Sequence, residues 1–280
     1  MKRIKLMFEA IKMELMEHKA SATVYFILRA FVIIMMILQI FNQNYENVFL
    51  CILVLILFIV PSFIQVQFKI ELPTTLEVII LVFIFCAEIL GEIQSFYTIF
   101  PMWDTILHTL NGFLAAAIGF SLVDIMNNDD RLQFHLSPLF MAIVAFCFSM
   151  TIGAVWEIME YFADTFLGFD AQRDTIIHTI NSVTLDPNNR NVIYSINNIT
   201  SVIINDEDLG LGGYLDIGLI DTMNDLIVNF IGAFIFSIFG YFYVKNRDKP
   251  SFITKFIPKK KEAMKDYLKL LDEKWNKEKS

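Results

Sequence analysis

Cysteine is scarce in this chain, and so is charge. The 280 residues include three cysteines, Cys51, Cys86 and Cys147, and each lies within an apolar stretch. A cysteine in such a stretch is more often a small buried hydrophobe than a redox group. The sequence therefore predicts neither a disulfide framework nor a thiolate metal site. Charged residues make up 19% of the chain, against about 25% in soluble domains, which disfavours a soluble protein.

The apolar content points instead to a membrane protein. Hydrophobic residues make up 56% of the chain and aromatic residues 14%, and the mean hydropathy is +0.55. A helix that crosses a bilayer needs about 20 mostly apolar residues. Six stretches meet this requirement, which predicts an all-α, polytopic membrane helix bundle. The predicted spans are 22–41, 47–64, 76–92, 105–125, 137–163 and 219–244.

The basic residues are sorted between the connections, although the net charge is −8. Lysine and arginine precede the first span, occur in the second and fourth connections as Lys69 and Arg131, and follow the last span from Lys245 to Lys261, with Lys249 among them. The connections near 43–46 and 93–103 contain none. Positively charged connections stay in the cytoplasm, so both termini are predicted to be cytoplasmic in a bacterial cytoplasmic membrane. No cleavable signal and no nucleic-acid partner are expected.

The polar segments complete the predicted organisation. Residues 1–20 have helical apolar spacing with lysines opposite, which is typical of an amphipathic cytoplasmic helix at the membrane surface. Spans one to five occupy 21–163 and span six occupies 219–244. Residues 164–218 form an extracytoplasmic loop or cap, and residues 245–280 form a basic cytoplasmic tail with a second amphipathic helix.

A repeated motif places acids and histidines beside the predicted spans. "WDTILHTLNG" at 103–112 and "RDTIIHTINS" at 173–182 share Asp-Thr-Ile-x-His-Thr-x-Asn, and "IDTMNDL" at 220–226 repeats its start. Residues four apart project from one face of a helix. Asp104 and His108 therefore share a face at the outer start of span four.

Other acids are predicted to lie at the same outer level. Glu157 and Glu160 end span five, Asp221 and Asp225 begin span six, and the inner halves of the spans are nearly free of charge apart from Asp124. Carboxylates facing one another in a low-dielectric environment need a cation or protons. Oxygen ligands with imidazole suit Zn, Mn, Mg or Fe. We expect a divalent metal ion on the following ligands: Asp104, His108, Glu157, Asp221 and Asp225. Glu160, His178 and Asp174 are the candidate catalytic acids or bases.

Three stretches carry a resemblance to a known family. "WDTILHTLNGF", "GAVWEIMEYFADTFLGFDAQRDT" and "GGYLDIGLIDTMNDLIVNFIGA" resemble the YjdF-like family of uncharacterised bacterial inner-membrane proteins over roughly residues 80–245. The order Asp-x-x-x-His, Glu-x-x-Glu and Asp-x-x-x-Asn-x-x-Gly is similar to the VanZ-like family, one member of which is linked to glycopeptide-antibiotic resistance. That family has Gln where this chain has Glu160. The resemblance implies a bacterial membrane protein and leaves its chemistry open.

Two functions fit the predicted site. The first is a metal-dependent hydrolase or transferase acting on membrane lipid or lipid-linked envelope precursors, with 164–218 as a lid. The second is a cation or proton transporter, which the apolar inner halves of the spans disfavour. A non-catalytic membrane partner protein, stabilised by its polar cluster, is the third alternative.

Overall fold

The computed structural model is mostly helical, and it describes residues 2–127, 135–247 and 251–279. Arg131 and Lys249, which contributed to the predicted topology, lie outside the described residues. Two compact units are present: 1–150 with 229–280, and 151–228. The ten helices of the described ranges are α1 (Lys2–Leu15), α2 (Lys19–Phe41), α3 (Tyr45–Leu57), α4 (Val60–Phe68), α5 (Thr74–Ile84), α6 (Phe96–Ile99), α7 (Trp103–Asn127), α8 (Pro138–Phe162), α9 (Leu219–Lys245) and α10 (Tyr267–Lys279).

Five helical segments are long and apolar enough to cross a membrane, among the residues that the structure describes. They are Lys19–Phe41, Tyr45–Phe68, Trp103–Asn127, Pro138–Leu167 and Leu219–Lys245. The predicted third span, 76–92, is not among them. It consists of α5, which has 11 residues, followed by a π-helical segment, Phe85–Ile93, that carries Glu88 and Glu92. The sixth span therefore stays a prediction.

Local sequence determines where several of these helices begin and end. The Asn44 side chain accepts a hydrogen bond from the backbone N–H of Asn47 at 3.1 Å, which caps the start of α3. Helix α4 ends at Phe68 because Lys69 adopts a left-handed conformation with φ of 55°. A second π-helical segment, Ala163–Leu167, extends α8 and ends at Gly168, whose φ is 72°.

The first unit is built around α7. Leu114, Ala117 and Phe120 of this helix are buried with Phe236 of α9 and Met141 of α8. A second apolar cluster joins α2 and α3 to α5 and its π-helical extension through Tyr25, Val32, Val54, Phe58 and Leu81. Large apolar side chains are exposed along the outsides of α2, α8 and α9. This distribution matches helices surrounded by hydrocarbon.

The two chain ends of the first unit pack against each other. Ala10 and Ile11 of α1 are buried beside Val66 of α4 and contact Leu268 and Leu271 of α10. Two short antiparallel strands, β1 (Ile70–Glu71) and β8 (Lys259–Lys260), pair next to them. Part of the apolar face of each predicted amphipathic helix is thus covered by protein, whereas Ile4 and Phe8 of α1 stay exposed. Contact of their remaining faces with lipid stays a prediction.

The second unit contains strands that the all-α prediction missed. Three antiparallel pairs order the segment 164–218, and side-chain alternation in so short a run is too weak to indicate them in the sequence. The pairs are β2 (Ile176–Ile177) with β7 (Tyr214–Leu215), β3 (Thr179–Ser182) with β4 (Tyr194–Asn197), and β5 (Ile203–Ile204) with β6 (Glu207–Asp208). The packing of this segment as a cap stays a prediction.

Candidate functional site

Asp104 and His108 form an acid–imidazole pair in the first two turns of α7. The His108 Nε2 atom lies 3.5 Å from Asp104 Oδ1, and the exposed fractions of the two side chains are 13% and 25%. An acid in the first turn also interacts favourably with the helix dipole. The motif Asp-x-x-x-His therefore places a carboxylate and an imidazole side by side at one end of a membrane helix.

A buried hydrogen-bonded cluster lies one turn further along the same helix. The amide of Asn111 donates to Asn229 Oδ1 at 3.4 Å, and the amide of Asn229 donates to the carbonyl of Ser149 at 3.5 Å. The Ser149 hydroxyl donates to the carbonyl of Gly112 at 2.8 Å. Asn229 and Ser149 are fully buried. Polar side chains within membrane helices join neighbouring helices in this way, so this cluster links α7, α8 and α9.

Two glycines bring the backbones of α7 and α9 into direct contact. A Cβ atom on Gly112 would lie 2.1 Å from the carbonyl oxygen of Asn229, and one on Gly232 would lie 2.0 Å from that of Thr109. Small residues permit this approach between membrane helices. The two backbones therefore touch at this level, directly below the Asp104–His108 pair.

Glu157 and Glu160 lie on the last turns of α8, within the second unit. Glu157 is buried, with an exposed fraction of 5%. Glu160 is half-buried, and its Oε1 atom accepts a hydrogen bond from the indole N–H of Trp156 at 2.7 Å. Carboxylates at this spacing project from one side of the helix. The environment of the two differs, because only Glu157 is removed from solvent.

Asp221 and Asp225 occupy the first two turns of α9, in the same unit. Asp221 Oδ2 accepts a hydrogen bond from the backbone N–H of Arg173 at 2.9 Å, which ties the preceding segment to the start of the helix. Asp225 is buried, with an exposed fraction of 5%. Asp221 thus has a structural role that its position in the sequence did not reveal.

Two further carboxylates hold this segment together. Asp164 accepts hydrogen bonds from the backbone N–H groups of Ala171 and Gln172 at 2.6 and 2.8 Å. Asp216 accepts from Thr175 at 2.7 Å and from Ile220 at 2.8 Å, and the second bond caps the N-terminus of α9. These acids are therefore explained by backbone hydrogen bonding.

Asp174 and His178, the remaining predicted residues, are exposed. Partial loss of hydration raises the pKa of Asp174, and the neighbouring charges of Asp170 and Asp216 raise it further. The Nδ1 atom of His178 lies 2.9 Å from the carbonyl oxygen of Ile199. Since a carbonyl only accepts, Nδ1 carries the proton, and Nε2 of the neutral ring is the basic nitrogen. Both side chains retain the chemistry of a proton acceptor.

The predicted residues are divided between the two units. Asp104 and His108 belong to the first, whereas Glu157, Glu160, Asp174, His178, Asp221 and Asp225 belong to the second. Within the units, the structure brings Asp104 to His108 and Asp221 to the backbone of Arg173. Convergence of all the predicted ligands on one cation stays a prediction.

The sequence did not predict a second polar cluster, where the two chain ends of the first unit pack together. Glu14 of α1 and Lys261 form an ion pair with side chains that are 1% and 3% exposed. Glu77 of α5 is also buried and accepts a hydrogen bond from the Gln65 amide at 3.5 Å. Glu77 is thus a buried acid in the predicted inner half of span three, which the expectation of inner halves nearly free of charge left out. The sequence did contain one indication that Glu14 is buried, because it shares a helix face with the apolar residues Ala10 and Ile11.

One protein family matches most of the chain. The family described as "Predicted membrane protein (DUF2238)" matches residues 23–246, which include all eight predicted site residues. It is the family that the sequence resembles under the description YjdF-like; the similarity to the VanZ-like family stays a prediction. Neither a curated protein nor a solved structure matches the chain.

Proposed function

The chain belongs to the DUF2238 family of predicted membrane proteins, and we propose that it is a membrane-embedded, metal-dependent hydrolase or transferase. In this proposal, six spans place both termini in the cytoplasm of a bacterium. A divalent cation is held near the outer face by Asp104, His108, Glu157, Asp221 and Asp225. The substrate is a membrane lipid or a lipid-linked envelope precursor. The observation that carries the proposal is the Asp104–His108 pair within a membrane helix.

The register of α7 against α9 supports a shared site. Along α7, Asn111 contacts Asn229, Phe113 contacts Phe236 and Phe120 contacts Tyr243, so the two helices run in the same direction. They touch where Gly112 meets Asn229. His108 is four residues before Gly112, and Asp225 is four residues before Asn229. Each is therefore one helical turn above the same contact, on the same face of its helix. We expect the Asp225 carboxylate to reach the depth of the Asp104–His108 pair.

The negative charge of the carboxylates favours a cation in such a site. Several carboxylates in a low-dielectric environment raise one another's pKa unless a positive charge lies between them. An ionisable side chain within a membrane span is costly and usually functional. Carboxylate oxygens combined with one imidazole nitrogen suit Zn²⁺, Mn²⁺ or Fe²⁺, and oxygen ligands also suit Mg²⁺. We propose one of these ions.

The close contact of α7 with α9 favours an enzyme over a transporter. A cation path needs polar groups and space at successive depths. Asn111, Ser149 and Asn229 supply polar groups below the pair, but they are hydrogen-bonded to one another or to backbone, and the glycines leave no gap beside them. A site closed on its inner side can accept a substrate from one face only.

The remaining predicted residues supply proton transfer. A bound cation would polarise a phosphoryl or carbonyl oxygen of the substrate. Glu160 or the basic nitrogen of His178 would accept a proton from water or from an attacking hydroxyl group, and Asp174, with its raised pKa, is the third candidate. The segment 164–218 would act as a lid that excludes water.

Metal content tests the proposal. The full-length protein is purified without chelator, loaded with Zn²⁺, Mn²⁺, Mg²⁺ or Fe²⁺, and analysed by mass spectrometry of the elements. We expect bound metal in the wild type and its loss in Asp104→Asn and His108→Ala. His18→Ala is the matched control, because His18 Nε2 also lies near a carboxylate, 3.8 Å from Glu71 Oε1, far along the chain from the site. Wild-type protein without metal, or equal metal in all four proteins, would exclude the proposed site.

A further inference from the structure

An apolar groove lies on the outside of the first unit, between α7 and α9. Its volume is about 420 Å³. Its walls are the following residues: Met102, Thr105, Ile106, Thr109, Leu110, Phe113, Gly232 and Ile235. We propose that this groove binds a single acyl chain of a membrane lipid. The proposal does not depend on the metal site, since none of the predicted metal ligands lines the groove.

The surroundings of the groove supply hydrocarbon. Both wall helices are long and apolar enough to cross a membrane. Ile106 and Ile235 are 54% and 41% exposed, so the groove opens on the outer surface of the helices, where lipid covers them. The lining residues include no charged side chain. The Thr109 hydroxyl donates to the carbonyl of Thr105 at 2.7 Å, which leaves it no proton for a ligand.

The length of the groove corresponds to one leaflet. From Met102 to Phe113 the α7 wall rises roughly 16 Å at 1.5 Å per residue, and half of the hydrocarbon core of a bilayer is roughly 15 Å. An aromatic cluster marks the upper end, where the Trp103 ring lies 5.0 Å from that of Phe96 and 6.4 Å from that of Phe100. Aromatic side chains of this kind sit at the membrane–water interface. The groove therefore runs from the interface to the middle of the bilayer.

The lining favours an alkyl chain as the occupant. Its eight residues are apolar apart from two threonines, and the space along them is about 420 Å³. A helix of a second copy that covered the groove instead is one of the outcomes of the test below. Gly232 forms part of the floor, where any side chain would also collide with Thr109.

Native mass spectrometry of the full-length protein in detergent tests the proposal by counting retained phospholipids. We expect the wild type to retain one lipid under delipidating conditions and the double variant Ile106→Trp/Ile235→Trp, which fills the groove, to lose it. Phe234→Trp is the matched control, because Phe234 is exposed on α9 beside Ile235 but does not line the groove. The single variant Ile106→Trp serves if the double variant does not fold, since this side chain is the more exposed of the two.

Lipid exchange separates chain recognition from headgroup recognition. Phosphatidylglycerol and phosphatidylcholine with identical chains should be retained equally, because the lining has no charge. Three results would overturn the proposal: retention that requires the anionic headgroup, equal retention by the filled variants, or a dimer whose interface the tryptophans disrupt. Wild-type protein that retains no lipid would overturn it as well.

Discussion

Replacement of Gly232 by alanine should separate the two central helices of the first unit. The added Cβ atom would lie 2.0 Å from the carbonyl oxygen of Thr109 and 2.9 Å from the backbone nitrogen of Phe113. Both neighbours are backbone atoms of α7, so no side chain can rotate away. Ordinary van der Waals contact begins at 3.4 Å. The helices must therefore move apart by roughly 1.4 Å, or the helix must shift along its axis.

The expected cost has two parts. Overpacking of a close contact costs about 1–3 kcal/mol. Separation of the helices also lengthens the hydrogen bonds of Asn229 to Asn111 and Ser149, and each such bond contributes about 0.6 kcal/mol in a membrane protein. We expect Gly232→Ala to lower the free energy of unfolding by about 2–4 kcal/mol. Helix propensity acts in the opposite direction, since alanine is the better helix former.

The assay is unfolding in mixed detergent micelles, titrated with sodium dodecyl sulfate and followed by circular dichroism. The control is Val155→Ile, which adds one carbon to an exposed side chain of α8 and should change stability by less than about 0.5 kcal/mol. A Gly232→Ala variant as stable as this control would show that α7 and α9 do not meet at these glycines, and the proposed site would then not be closed on its inner side.

Three further predictions concern charge and topology. Lys261→Met should destabilise the protein by about 3–5 kcal/mol, because it leaves Glu14 buried without its cation. Glu14→Leu in the same chain should restore much of the lost stability in the same assay. Additive losses of stability would contradict the buried ion pair. The hydrogen bond from Tyr267 and the charge of Lys265 lower the pKa of Glu17 below its ordinary value of 4.5. The ionised Glu17 side chain should therefore stabilise the protein at neutral pH, and this stabilisation should disappear as the pH falls through the lowered pKa. A Glu17→Gln variant whose loss of stability relative to the wild type does not shrink on acidification would refute this. Cysteines introduced near residue 190 should react with an impermeant thiol reagent from outside the cell, whereas labelling only from the cytoplasm would reverse the proposed topology.

Composition and periodicity correctly predicted most of the long apolar helices. Five of the six predicted spans correspond to helical segments long enough to cross a membrane, since twenty consecutive apolar residues have few other stable arrangements. The stretch 76–92 is apolar enough, but its second half takes the π-helical form of Phe85–Ile93. Such a change in helical register depends on tertiary contacts and has no simple sequence pattern.

The sequence predicted contacts between neighbouring residues of the candidate site, but not contacts between residues far apart in the chain. Asp104 and His108 are four residues apart, so their contact follows from helix geometry alone. The partner of Asp221 is a backbone N–H 48 residues earlier, and Lys261 pairs with Glu14 across 247 residues. Spacing along the chain carries no information about such contacts. It therefore gave no indication that Asp221 binds a backbone N–H or that Glu14 is buried with Lys261.

Pulsed electron paramagnetic resonance of Mn²⁺-loaded protein tests the proposed metal site most directly. Mn²⁺ accepts carboxylate oxygens and an imidazole nitrogen, and a nitrogen bound to it modulates the electron spin echo. We predict a single imidazole nitrogen coupling in the wild type, its retention in His18→Ala, and its loss in His108→Gln. Bound Mn²⁺ without nitrogen coupling, or with the same coupling in His108→Gln, would contradict a metal site at the Asp104–His108 pair.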